Sequence, residues 1–520
     1  MSTVTDTTAG LLRGTIVEEG IRSFRGVPFA RPPLGPLRFA PPQPPQPWAG
    51  IRSAETFGPV SHQGTIGLGF MGAGQQAQSE DCLYLNIWTP DTHGHRPVMV
   101  WVHGGAFLLG AGSEPLYDGR RLAASGDVVV VTVNYRLGAL GYLAHPSLRD
   151  GATGACGNWG LLDQIAAVEW VRDNAAAFGG DPAEITVFGE SAGSMSVTTM
   201  MAAPRASGLF KRVIAQSGAP LVATGEEAQA TGERVVDALG VTAAELRDVP
   251  AERFLEVQQQ IMLAAQQAGG GLSGAVMAFR PNVDGVVLHR APQDAVAEGQ
   301  AAGVALLIGT NRDEMKLFSL LDQGDLDEAG LLERLAAHLD QDAAQGAADA
   351  YRAARSGRGE AVEPKELWSA METDRFFRAP AMQFAAAHAA HGSPTFAYLF
   401  CWSSPMEMLG AAHAIELPFV FGTLDAPMIE LFAGGGPEAE RLSAIVQRAW
   451  VDFARTGDPS TAELGTWPRF DGDRRATMVL GEDCAAHEAP RAAELRCWQV
   501  EGGAVQVSGS SGRGAKEVRA

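Results

Sequence analysis

The sequence predicts an α/β protein built on a large, mostly parallel central sheet flanked by helices. Three observations predict it. Strand-length runs such as Val98–Val102 and Val128–Val133 are apolar throughout instead of alternating, as expected of strands buried on both faces. From Leu83 onward, strand patterns alternate with helical ones, the order of a doubly wound sheet. The pentapeptide Gly189-Glu190-Ser191-Ala192-Gly193 stands between a strand pattern, ITVF, and a helical one, SMSVTTMMA. Such strand–turn–helix placement gives a G-x-S-x-G sequence structural meaning.

Taken in order, Thr15–Phe29 reads as a hairpin turning at Glu-Glu-Gly, and the Pro-rich stretch Arg31–Trp48 as an extended surface loop. The Gly- and Gln-rich segment 61–78 is read as a mobile loop bordering the entrance to the site. Leu83–Thr89, Val98–His103 and Val128–Asn134 are predicted strands, and Arg120–Ser125 a short helix. Gly160–Phe178 is expected to be an amphipathic helix, Ile185–Gly189 a strand and Ser191–Ala203 a helix. Val304–Ile308, Tyr398–Phe400, Met478–Leu480 and the late WQV supply further strands. Helix-rich stretches near 223–280 and 321–392 read as insertions, and the Gly/Ser-rich 501–520 as a flexible tail. Length alone, 520 residues, suggests three domains. The run of motifs instead points to one unit over 1–500.

Composition narrows the function classes. The chain carries 40 Lys+Arg against 60 Asp+Glu, a formal net charge of −20. Phosphate backbones and anionic membrane surfaces call for a basic face, so neither nucleic acid nor membrane is an expected partner. No apolar run reaches the length of a membrane span, and Met1–Gly10 has no leader pattern. The five cysteines, Cys82, Cys156, Cys401, Cys484 and Cys497, are scattered without a CxxC pair. They suggest neither a zinc site nor a disulfide framework, and fit a cytoplasmic protein with reduced thiols. His93-Gly94-His95 reads as a polar turn, so no metal is expected.

The chemistry-bearing residues are few. In the G-x-S-x-G turn, glycines are needed because neighbouring Cβ atoms would clash, and the turn lifts the Ser191 hydroxyl clear of the sheet. The alternative is a helix-capping serine. His103-Gly104-Gly105-Ala106-Phe107 follows the strand VMVWV, where small residues let backbone N–H groups face a cavity. A plain glycine turn would look the same, and His103 itself reads as structural. Asp313 and Glu314 follow the strand VALLI and are both candidate carboxylates, whereas Asp284 reads as a turn residue. Among the downstream histidines, His338 and His388 fall in Ala-rich helical patterns and read as solvated; His391 resembles a helix end, and His487 lies in a polar late segment. His413, on the small-residue loop GAAHA, is the candidate base.

With these residues in hand, the chain resembles the type-B carboxylesterases, which include the cholinesterases, and within them the bacterial para-nitrobenzyl-esterase-like members. The landmarks are FRGVPFA, SEDCLYLNIW, VWVHGGAFLLG, VNYRLGALGYL, GNWGLLDQ, FGGDP, FGESAGS, AQSG, GTNRDE and HAIELPFVFG, in that order from Phe24 to Gly422, with WVDFARTGDP beyond. The resemblance implies an α/β-hydrolase fold with helical insertions around an active-site gorge. It implies Ser191 as nucleophile, Glu314 as acid and His413 as base, selecting Glu314 over Asp313. It implies backbone donors to an oxyanion at Gly105, Ala106 and Ala192, with Glu190 and Ser217 as polar neighbours. Arg38 with Glu80, and Arg136 with Asp163, are implied structural ion pairs.

Two departures stand out. Where many relatives pair a cysteine with the one in SEDC, this chain has Ser61, so Cys82 is expected to be free. The oxyanion motif is GGA in place of GGG. The family's GGG(A)X type is associated with tolerance of bulky tertiary-alcohol esters, which adds these to the candidate substrates.

The implied reaction is acyl transfer to Ser191 and then to water, on uncharged short- or medium-chain esters, with aryl and benzyl esters included. No cofactor is called for. Phe107, Leu108, Met277, Phe279, Met315 and Phe318 lie near the catalytic landmarks in sequence and are candidate pocket walls. The expected partner is a small-molecule ester, and the expected state a monomer or weak homodimer. A carbamate or amide hydrolase on the same triad is the alternative. A non-catalytic cholinesterase-like binding protein fits less well, because Ser191, Glu314 and His413 are all present.

Overall fold

A computed structural model describes residues 2–64, 76–267, 277–320 and 324–498. Most of the 61–78 segment and the whole 501–520 tail lie outside the described residues. The strands are β1 (Ser2–Thr7), β2 (Gly10–Ile16), β3 (Arg22–Pro28), β4 (Ile51–Ser53), β5 (Tyr84–Thr89), β6 (Arg96–Val102), β7 (Val129–Val133) and β8 (Gly180–Glu190). They continue with β9 (Arg212–Gln216), β10 (Ala223–Thr224), β11 (Asn282–Val283), β12 (Ala305–Asn311), β13 (Thr395–Phe400), β14 (Ala476–Leu480) and β15 (Ala485–Glu488).

Thirteen of them form one sheet in the order β1-β2-β3-β5-β7-β6-β8-β9-β12-β13-β14-β15, with β4 paired to β2. From β7 to β14 every neighbouring pair is parallel, while the two ends are antiparallel apart from the short parallel β2–β4 pairing. The expected hairpin is present, with Thr15 opposite Ser23 across β2 and β3. Of the edge strands, β1 is too polar and β15 too short to stand out from sequence alone.

The continuous apolar runs are explained by two cores, one on each face. Along β6, Val98, Val100 and Val102 join one core, while Met99 and Trp101 join the other. In β7, Val129, Val131 and Val133 face the first core and Val130 the second. Helix Trp159–Asn174 covers the first face; helix Pro437–Thr456 covers the second. Trp159–Asn174 is not the amphipathic helix expected: 12 of its 16 residues are buried. It is wedged between the sheet and further helices, so only a narrow stripe through Glu169, Arg172 and Asp173 is left for solvent.

The insertions hold helices Gly225–Leu239 and Ala251–Gln267 in the first, and Glu328–Leu335, Gln341–Gly357, Pro364–Thr373 and Ala379–Ala389 in the second. Helix Gly225–Leu239 starts at a capping box in which the Thr224 hydroxyl accepts from Glu227 N–H and the Glu227 carboxylate from Thr224 N–H. Two further sequence expectations are corrected. His388 is buried, its Nδ1 2.9 Å from Thr395 Oγ1, because its side of helix Ala379–Ala389 packs on β13. Burial pushes its imidazole down to about 4. Trp498 ends a 3-10 turn, Arg496–Trp498, and the rest of WQV lies outside the described residues. Among the described residues, no helix is long and apolar enough to cross a membrane.

Both implied ion pairs are present. Arg136 Nε and Nη2 each lie 2.7 Å from one Asp163 carboxylate oxygen, fully buried, and Arg38 grips Glu80 at both oxygens. Cys82 is buried and free, its thiol pushed up by burial.

Candidate active site

Parallel strands deliver their C-terminal ends to one edge, the place where open α/β sheets bind ligands. Here β6 runs into the loop at His103, β8 into Ser191, β12 into Glu314, and β13 into the loop that carries His413. These four segments are distant in sequence, and the sheet order brings them together.

Ser191 caps helix Ala192–Met200 with φ 54° and ψ −121°, a conformation L-residues rarely adopt. Its geometry explains the glycines around it. A Cβ on Gly189 would lie 2.6 Å from Gly193 C and from Val102 O, so the strand–helix crossing closes only without side chains there. Ser191 N–H donates to Gln216 O at 2.9 Å, tying the turn to β9. A Cβ on Gly104 would lie 2.7 Å from Glu190 Oε2 and 3.1 Å from Ser191 Cβ, so that glycine brings the His103–Phe107 loop against the serine.

On that loop Ala106 and Phe107 take positive φ, 57° and 62°. Held in this way, the N–H groups of Gly105 and Ala106 find no acceptor among the described residues, nor does that of Ala192 at the helix N-terminus. Three unpaired donors beside Ser191 are the arrangement needed to hold an oxyanion. His103 turns away: Nδ1 lies 2.8 Å from Gly104 O, and the ring stacks on Tyr135. Burial pushes His103 down to about 4, so it is neutral and structural.

Glu314 and His413 are both buried and meet directly. Glu314 Oε2 is 2.6 Å from His413 Nδ1, while Oε1 accepts from Asn311 N–H at 2.7 Å. Asp313 does different work: it pairs with Arg312 and accepts from Ala411 N–H, fixing the loop two residues before the histidine. His413 Nε2 faces Glu190 Oε1 at 2.9 Å. That contact is close enough for an ion pair but is not aligned as a hydrogen bond, and Glu190 Oε1 has no other partner. No hydrogen bond joins Ser191 Oγ to the imidazole. Burial would lower the His413 pKa, but the flanking Glu190 and Glu314 carboxylates overcome it and hold it well above the usual histidine range. Burial in turn pushes Glu190 up, against the pull of His413.

The remaining sequence candidates divide. Phe318 lies against His413, ring centroids 5.1 Å apart. Met315 is half-buried one residue after Glu314, its N–H donating to Thr373 Oγ1. Phe107, Leu108, Met277 and Phe279 are buried in the first core, Phe107 edge-on to Tyr142. Ser217, with φ 54°, is fully buried and its hydroxyl has no partner among the described residues.

Sequence reasoning missed three groups. Phe377, from a π-helical turn at Asp374–Arg378, packs against the His413 ring at 4.9 Å and stacks on Phe318 at 6.4 Å. Glu416 is buried, accepting from Gln216 Nε2 and Asn311 Nδ2. Glu114 is buried beside the oxyanion loop and accepts from Ala111 N–H. Burial and the neighbouring carboxylates push Glu416 up to about 8; burial pushes Glu114 up to about 7, with Glu190 adding to it. Only Glu416 left a signal, an acid one helical turn after His413.

Comparison with known proteins shows the family and the fold. The family described as "Carboxylesterase family" matches residues 1–498. Para-nitrobenzyl esterase of Bacillus subtilis (strain 168) is 40% identical over 494 residues, covering 94% of this chain and 96% of the relative. Fumonisin B1 esterase of Sphingopyxis macrogoltabida is 36% identical, covering 93% and 87%. Among solved structures, a PNB esterase superposes with a TM-score of 0.85 at 38% identity, and a Geobacillus stearothermophilus carboxylesterase with 0.83 at 40%. Each covers 96% of this chain and 100% of the other.

Proposed function

The chain belongs to the carboxylesterase family, and from that membership we propose that Ser191, His413 and Glu314 carry its ester hydrolysis. It is a carboxylic ester hydrolase of the serine type. The observation that carries the residue assignment is the buried Glu314–His413 pair beside a strained Ser191 ringed by unpaired N–H groups.

In the proposed reaction His413 turns Nε2 from Glu190 toward Ser191, pivoting on the Nδ1···Glu314 bond, and takes the hydroxyl proton as Oγ attacks the ester carbonyl. Alignment of this kind commonly tightens only once substrate is bound. The oxyanion is held by the N–H groups of Gly105, Ala106 and Ala192. His413 returns the proton to the departing alcohol, then activates water against the acyl-enzyme. Glu314 holds the tautomer with Nδ1–H and stabilises the imidazolium.

Two features favour uncharged substrates. Phe318 and Phe377 both lie against the imidazole and present apolar surface, and the buried carboxylates Glu190 and Glu314 beside it oppose entry of an anion. Short- and medium-chain esters, including benzyl and aryl esters, are the proposed class.

The test is a panel of p-nitrophenyl esters of rising acyl length, beside aryl carbamates and anilides, with Ser191→Ala as control. Esters are expected to be turned over fastest, and Ser191→Ala to lose about 10³-fold or more in kcat. Labelling by an organophosphate is expected on Ser191. Retained activity in the variant, or labelling of another serine, overturns the assignment; carbamates outrunning esters overturns the substrate class.

A further inference from the structure

The loop bearing Gly105 and Ala106 is strained, and a strained loop persists only where its surroundings over-determine it. Part of that hold is internal: Leu108 N–H and Leu109 N–H both donate to Gly105 O. Part comes from the far side, where Gly138 N–H donates to Phe107 O at 2.7 Å. The third part comes from a side chain remote from the reacting atoms. Gln63, buried at 6% exposure, takes the N–H of Gly110 on Oε1 at 2.8 Å and donates from Nε2 to Gly110 O at 3.1 Å. One carboxamide thereby satisfies both backbone groups of a single residue, as a neighbouring strand would.

Gly110 is the residue on which the loop closes. At φ 105°, a Cβ there would lie 2.5 Å from His103 Nδ1 and 2.7 Å from Gly104 O, so Gly110 rests directly on the start of the loop. The amide is itself fixed. Its Nε2 also donates to Ser61 O, and Gln63 N–H donates to Gln78 Oε1. Ser61 Oγ accepts from Leu137 N–H, the residue before Gly138. On the other arm of the same segment, Gln76 grips Ser113 at both its hydroxyl and its carbonyl. The 61–64 strand of chain thus holds the oxyanion loop at Gly110 and, through Leu137–Gly138, at Phe107.

We propose that Gln63 is a positioning residue for the oxyanion hole, clamping Gly110 so that the Gly105 and Ala106 N–H groups stay aimed at the developing charge. The inference rests on the assignment of those N–H groups made above. Gln63 touches no substrate. Its loss lets the loop relax, so the cost falls on the transition state and spares ground-state binding.

Gln63→Ala is expected to lower kcat by about 10- to 100-fold with KM changed by about twofold at most, short of the loss from deleting a donor outright. Affinity for an alkyl trifluoromethyl ketone, which adds Ser191 Oγ at its carbonyl and places an oxyanion in the hole, falls by the same factor as kcat. Gln63→Glu keeps the acceptor for Gly110 N–H but sets a carboxylate against Gly110 O; it is expected to show the same split, and serves if the alanine variant does not fold. Unchanged kcat and ketone affinity in either folded variant overturns the proposal, as does a loss carried entirely by KM. If the wild-type chain forms no ketone adduct on Ser191 by ¹⁹F NMR, the nucleophile and oxyanion assignment fails instead.

Discussion

His413 Nε2 sits 2.9 Å from Glu190 Oε1, so the residue just before the proposed nucleophile, Ser191, holds the nitrogen proposed to serve it. Burial alone would favour a neutral imidazole; Glu190 and Glu314 reverse that and raise its pKa well above the ordinary value. A base has to be neutral to accept the serine proton, so the acid limb of kcat/KM is expected above the pH of an unperturbed histidine. Glu190→Gln removes one of the two anions and is expected to move that limb to lower pH. A limb that stays in place would show that Glu190 does not set the base.

Glu314 and Asp313 are adjacent but do different work, and charge-neutral isosteres separate them. Glu314→Gln presents the wrong hydrogen-bond partner to Nδ1 and is expected to cost about 10³- to 10⁴-fold in kcat, as loss of the orienting acid does in serine triads. Asp313→Asn, which weakens the Arg312 pair and the bond from Ala411 N–H, is expected to lower thermal stability with a much smaller loss of kcat. Steady-state kinetics beside a melting curve would decide; equal losses in kcat would refute the division.

Glu416 gives a stability prediction with a definite sign. Its carboxyl is raised from 4.5 to about 8, first by burial and then by Glu190 and Glu314, against the donors Asn311 and Gln216. Between those values the folded chain keeps a proton that the unfolded chain has released, so stability falls as pH rises through the window. Glu416→Gln does not titrate. The Tm of the variant relative to wild type is expected to improve from pH 5 to about pH 8 and to level off above that, and a pH-independent difference would count against the raised carboxyl.

The Arg136–Asp163 pair is buried, with a bidentate fork at 2.7 Å. Removing one partner leaves a buried charge without its counter-ion, so Asp163→Leu is expected to cost about 3–5 kcal/mol in urea unfolding. A change below about 1 kcal/mol would indicate that Ala40 O and Trp159 O, which also accept from Arg136, carry the guanidinium unaided.

Local sequence carries the elements whose cause is local. The apolar runs of β6 and β7 mark strands covered on both faces, and the glycines of the serine turn mark a crossing that tolerates no Cβ. His413 stood out by its small-residue loop. The pattern at His388 misled, because helical Ala runs look solvated until β13 is packed against them. The role of the Asp313–Glu314 pair was not legible from residue chemistry alone, since both follow the same strand and either could face a base.

Sequence pattern and landmark order settled the α/β class, the strand–turn–helix at Ser191 and the family. Long-range packing settled the rest. It put β6, β8, β9, β12 and β13 side by side, so that residues 99 positions apart, Glu314 and His413, share a hydrogen bond. It turned His413 toward Glu190, laid Phe377 on its ring, gathered four carboxylates out of water, and set Gln63 on the oxyanion loop. The physical reason is one of range. Propensity, turn chemistry and hydrophobic period act over a few residues and are written into the chain locally. Contact distance, desolvation and the field of one carboxylate on another depend on which distant segments the sheet makes neighbours.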